Sequence, residues 1–184
     1  MPQSVERITD RLHSPPRIRV QSIPTYLLAP VLTLYRQGSS DAAQSCHCRL
    51  DLTVPEVDED DPSVDLKVRW FVDYDLSQPR SLGVVKEETV QGSFDVGDVV
   101  RGPFNYSFEA DALGIVSSGV HVVQVVIAES AGFDENSTTL PHRAVKTAEG
   151  YESTVYTFVV DVRVEQDPKQ PTCPQQLPSK RVCQ

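Results

Sequence analysis

Val64-Asp65-Leu66-Lys67-Val68-Arg69-Trp70-Phe71-Val72-Asp73-Tyr74 is the stretch on which the fold turns. Val64, Leu66, Val68, Trp70, Val72 and Tyr74 fall at alternate positions. Asp65, Lys67, Arg69, Phe71 and Asp73 fall between them. Successive side chains of a strand point to opposite faces, so this period of two predicts a β-strand with one apolar face.

The pattern repeats outward in both directions. Upstream, Cys46, Cys48, Leu50, Leu52 and Val54 alternate with His47, Arg49, Asp51 and Thr53 until Pro55 stops the run. Tyr26 to Tyr35 is apolar, and Pro30 within it predicts an edge or bulged strand. Downstream, residues 82 to 100 suggest two short strands around Gly92 and Gly97, and Phe104, Tyr106, Phe108 and Ala110 alternate again. Val120 to Ala128 is apolar on both faces except at His121 and Gln124, which predicts a strand in the middle of a sheet. Tyr156, Phe158, Val160, Val162 and Val164 form one face of a last strand. The tally is an all-β antiparallel sandwich of about seven to eight strands.

Three segments follow: an arm or short helix over 1–22, where Val5, Ile8 and Leu12 have helical spacing; the sandwich over 23–166; and a Pro-rich tail over 167–184. The chain of 184 residues fits one domain. A net charge of −9 would be repelled by a phosphate backbone and excludes nucleic acid as the expected partner. No run approaches the roughly 18 apolar residues that cross a bilayer, and Met1-Pro2-Gln3-Ser4-Val5-Glu6 lacks the basic start of an export signal. Either a signal is removed ahead of this numbering or the protein stays inside.

Cys46, Cys48, Cys173 and Cys183 make an even set, as disulfides in an exported protein do. Three connectivities are open. A Cys46–Cys48 bridge would span roughly 6.5 Å of strand, at the upper end of disulfide geometry. Two bridges from this pair to Cys173 and Cys183 are preferred, since they would staple a tail that has almost no core-forming residues. Zinc is disfavoured: the spacing is Cys-x-Cys, and His47 would point away from its neighbours on a strand.

Cys48 at an inward position, Trp70 in Val68-Arg69-Trp70-Phe71-Val72, and Ser118-Gly119-Val120-His121-Val122-Val123-Gln124-Val125 opening a late strand resemble an immunoglobulin-like sandwich of bacterial exported and envelope proteins. The resemblance covers roughly residues 24 to 165. His121 stands where a corner Tyr would be, and the late strand carries no Cys. The resemblance implies a periplasmic, cell-surface or secreted location, lipoprotein-like, but such a sandwich hosts many tasks.

Catalytic motifs are missing from the sequence: it has no Gly-x-Ser-x-Gly, no Gly-x-Gly-x-x-Gly and no phosphate loop. No cofactor is expected. The acidic run Glu56, Asp58, Glu59, Asp60, Asp61 with Asp65 lacks the glycine and periodicity of a calcium loop. It reads as a solvated loop, or as a contact for a loose cation or a basic partner. The segment from Glu129 to Glu152 separates two strands, and a loop so long is usually functional or disordered. It is expected to project from one end of the sandwich, with Phe133, Asp134, Glu135, His142 and Arg143 as the candidate contact surface.

The leading expectation is a non-catalytic structural or protein-binding module of the cell envelope, a subunit or anchor of a larger assembly. A carbohydrate-binding module, stacking sugars on Phe71, Tyr74, Phe133 or Tyr151, is the second. A hydrolase with unplaced paired carboxylates is the third.

Overall fold

The computed structural model describes residues 13–37, 49–75, 84–95, 97–135 and 143–165. Ten strands appear among the described residues: β1 Arg17–Ile18, β2 Leu32–Gln37, β3 Arg49–Val54, β4 Val57–Asp58, β5 Leu66–Val72, β6 Lys86–Val90, β7 Val100–Arg101, β8 Phe104–Glu109, β9 Gly119–Glu129 and β10 Thr154–Glu165. The helical pieces among the described residues are single 3-10 turns. The chain is all-β.

Five strands form the main sheet in the order β2-β10-β9-β5-β6. β9, the strand apolar on both faces, sits at its centre, as its sequence predicts. β3 pairs with β8 in a two-stranded sheet, and β1-β4-β7 make a third, small sheet. Among the described strands every pairing is antiparallel except β2 with β10, where Leu32 lies opposite Val160 and Gln37 opposite Glu165. This edge strand corrects the expectation of a purely antiparallel sheet. Its N-terminal half is corrected too: Thr25–Leu28 is a 3-10 turn, and only Leu32 onward is strand. Pro24 and Pro30 explain the split, since proline cannot donate to a ladder.

The period-two faces meet in one core. Leu50, Leu52 and Val54 of β3 and Phe104 and Phe108 of β8 share a cluster with Leu66, Val68 and Trp70 of β5 and with strands β9 and β10. Trp70 is fully buried and stacks with Tyr106 at 5.5 Å and Phe158 at 6.3 Å between ring centroids. Burial of each such side chain contributes about 2 kcal/mol, which makes this face the main source of stability.

The opposite face of the main sheet is also covered. Phe71, Val126, Ala128 and Phe133 form a second apolar cluster, with Tyr74, Val84 and Val145 packed against it. The segment after β9 therefore does not project from an end of the sheet in its described parts. Phe133 bridges antiparallel to Val145, and the Lys146 N–H donates to the Gly132 carbonyl at 2.8 Å. The physical reason is the face it covers. Lys67, Arg69 and Phe71 alternate toward a side that needs both an apolar lid and counter-charges.

The short third sheet places the N-terminal arm. Arg17 pairs with Asp58 and Ile18 with Val57, so the arm runs along the acidic segment. That segment, expected as a plain loop from Glu56 to Pro62, thus contains a short strand. The helix expected within residues 4–12 lies outside the described residues.

Candidate functional site

Phe133, Asp134, Glu135 and Arg143, the expected contact residues that are described, have partners inside the chain. Phe133 is 1% exposed, with the Arg69 guanidinium 4.4 Å from its ring centroid. Glu135 accepts from Lys67 Nζ and Arg69 Nη2, both at 2.7 Å, and Arg69 Nε reaches Glu87 at 2.5 Å. The Lys67 and Arg69 hydrogen bonds hold the Glu135 carboxyl down at about 2. Asp134 donates its N–H to Ala144, and the Arg143 guanidinium lies 5.1 Å from the Tyr74 ring centroid. His142 and all four cysteines lie outside the described residues. Of the sugar-stacking candidates, Phe71 and Phe133 are buried, and their faces are unavailable to a glycan.

A different surface gathers carboxylates, only some of which meet a basic side chain among the described residues. Two concavities, of about 450 Å³ and 570 Å³, lie side by side where the arm crosses the acidic segment. His13, Val64 and Glu129 line both. Glu59, Asp60 and Asp61 complete the first, and Asp65, Ser130 and Tyr151 contribute to the second.

Each wall has a local cause. Pairing of β1 with β4 carries His13 past the end of β9, where its Nδ1 lies 2.9 Å from Glu129 Oε1. The His13 ring stacks on Tyr151, with centroids 4.0 Å apart and planes inclined by 23°. Gly132 permits this position of Tyr151, because a Cβ there would come within 2.7 Å of the ring. Gly92 plays the same part for the acidic turn. A Cβ on it would collide with the Ser63 carbonyl, and its N–H donates to Asp65 at 2.6 Å.

The carboxylates divide into two sets. Arg19 neutralises Glu56 and Asp58, and Arg17 pairs with Asp60 at 2.6 Å. Hydrogen bonds from Ser14 and Arg17 pull Asp60 below the usual carboxylate range. Glu59, Asp65 and Glu129 form the second set. Among the described residues the basic side chain that meets this set is His13, on Glu129.

Glu59 is 2% exposed and Glu129 7%. Glu59 Oε1 accepts the Asp61 N–H at 3.1 Å, while its Oε2 is buried with no partner. Burial pushes the Glu59 carboxyl upward, and the neighbouring Glu129 charge adds to that, against the backbone N–H groups of Asp61 and Asp60.

A buried carboxyl with a raised pKa beside a second carboxylate resembles the equipment of two-acid hydrolysis. A general acid must reach the bond it protonates, and Glu59 Oε2 is shut off from solvent.

Sequence reasoning had found the acidic run and Tyr151 separately. It missed Glu129 and His13, which are 116 positions apart and meet only through the arm.

A second polar pair lies at the far end of β9. Asp73, at φ 50°, accepts the Val122 N–H at 2.8 Å and faces His121 Nδ1 at 2.6 Å. His121 thus has Asp73 as its hydrogen-bond partner.

Comparison of the chain with family models, with curated proteins and with solved structures yields no match. None of the helices among the described residues is long and apolar enough to cross a membrane.

Proposed function

We propose that this chain is a non-catalytic, protein-binding module of the cell envelope, of immunoglobulin-like build, which receives a basic segment of its partner in the acidic cleft between the arm and residues 59–65. The carrying observation is the charge imbalance at the base of that cleft. Glu59 and Glu129 are withdrawn from water, an arrangement that is costly unless a cation compensates it. Where this protein buries Arg69, by contrast, it supplies Glu87 and Glu135 as counter-charges. The overall charge of −9 would steer a basic partner toward the molecule and make association salt-dependent.

A fluorescent peptide rich in lysine and arginine, titrated at rising salt, tests the reading. Asp61→Asn is expected to weaken binding by roughly three- to tenfold. Glu109→Gln, the same change in charge at the end of β8 away from β4, is expected to leave it alone. An equal loss in both variants would reduce the interaction to net charge and remove the cleft from it.

The envelope location rests on the four cysteines. Intact mass with and without reduction is expected to show two disulfides, and four free thiols would overturn that part of the proposal.

A further inference from the structure

The His13 ring is held as a planar cation is held. One face lies on Tyr151, and its edge nitrogen meets the Glu129 carboxylate. Behind Glu129 stands Glu59, 2% exposed, its Oε2 without a partner. The ring is also part of the wall common to the two concavities, with Val64 and Glu129.

An aromatic face with a carboxylate at its rim suits one side chain above others. The arginine guanidinium is planar and weakly hydrated, stacks on aromatic rings, and donates in its own plane to carboxylates. A lysine ammonium is compact and strongly hydrated, and gains less from a stacking surface. A metal is poorly served here: among the described residues no group of three or more His, Cys, Asp or Glu side chains is arranged to hold one.

Resting on the basic-partner reading above, we propose that the cleft is an arginine side-chain site which the protein fills with its own His13, and that a partner's guanidinium displaces this imidazole. Tyr151 then carries the stacked face. Glu129 takes the in-plane hydrogen bonds, and Glu59 Oε2 becomes reachable once the ring has left. His13 competes from a short tether. Ser14 and Arg17 both bind Asp60, and the Thr154 hydroxyl donates to the Pro16 carbonyl, so the imidazole is present at high effective concentration. Removing it therefore raises the affinity of the site for guanidinium. An ordinary contact residue would do the opposite.

The test titrates methylguanidinium and methylammonium into the full chain, following the backbone amide NMR signals of Asp61, Ser130 and Tyr151. Saturable shifts with methylguanidinium are expected, with methylammonium several-fold weaker. His13→Ala is expected to tighten methylguanidinium roughly tenfold, as release of a competing state does. Glu129→Gln and Tyr151→Leu are expected to abolish the shifts, each judged on a variant whose amide spectrum remains dispersed. If His13→Ala does not fold, His13→Gln serves in its place.

Weaker binding in His13→Ala would overturn the displacement. Equal response to the two small cations, or the same shifts with calcium chloride alone, would overturn the arginine assignment. If the basic peptide binds while methylguanidinium gives no saturable shift, the arginine site falls and the basic-partner reading stands. If neither binds, both fall.

Discussion

Two charged regions of this protein follow opposite rules. On the outer face of the main sheet, Arg69 is buried between Glu87 and Glu135 and lies over the Phe133 ring, and Lys67 shares Glu135. At the arm, Glu59 and Glu129 are buried near each other, and the His13 imidazole meets Glu129. Their carboxyls respond in opposite directions. Glu135 is held at about 2 by the hydrogen bonds it accepts, whereas burial raises Glu59. A charge that serves the fold is given its partners at once. On the reading proposed above, a basic group of the partner completes the unbalanced pair at the arm.

The sharpest way to break this comparison is to remove the central cation. Arg69→Ala takes away the packed stem, strips half-exposed Glu87 of this partner and leaves Glu135 to Lys67 alone, for an expected loss of about 2 kcal/mol in urea unfolding. A loss below about 0.5 kcal/mol, the level of an ordinary surface change, would show that the outer network is decorative.

Gly132→Ala is the next largest. Its Cβ would meet the Tyr151 ring at 2.7 Å, so overpacking is expected to cost about 1–2 kcal/mol and to move the His13 ring signals. Unmoved signals would detach Tyr151 from the arm.

Glu59→Gln acts in the other direction. It removes a buried charge with an unpartnered oxygen, and an increase in stability of about 1 kcal/mol at neutral pH is expected. The increase should fade on acidification. A carboxyl raised in the folded state carries its penalty only as pH climbs above its ordinary value of 4.5 and through its higher folded value. A destabilised variant would mean that Glu59 is a structural partner.

The smallest effect is the pH slope of Glu135. Its contribution is present above its ordinary value of 4.5 and is lost as pH falls from there toward about 2. Glu135→Gln should flatten the acid limb of the stability curve in that window. An unchanged limb would place the acid sensitivity elsewhere.

Much of the strand content was legible. Leu50 through Val54, Leu66 through Val72 and Phe104 through Phe108 announce themselves by alternation, because one buried face imposes period two. The double apolar character of β9 gave its central position. Less could be read where contacts are long-range. Nothing local distinguishes Phe133 as a lid from Phe133 as an exposed tip; the choice depends on Arg69 and Phe71 facing it from β5. The site was legible in fragments: the acidic run and Tyr151 carried signals, whereas His13 and Glu129 are unremarkable in their own neighbourhoods.

The sequence by itself determined an all-β chain, the inward faces of its strands, the burial of Trp70 and an acidic surface, since periodicity and composition are local properties. Tertiary structure alone decided that β2 runs parallel to β10, that the segment after β9 turns back over the sheet, and that His13 lies on Tyr151 against Glu129. Those outcomes depend on which distant surfaces bury each other. That energy belongs to pairs of segments, so no window along the chain contains it.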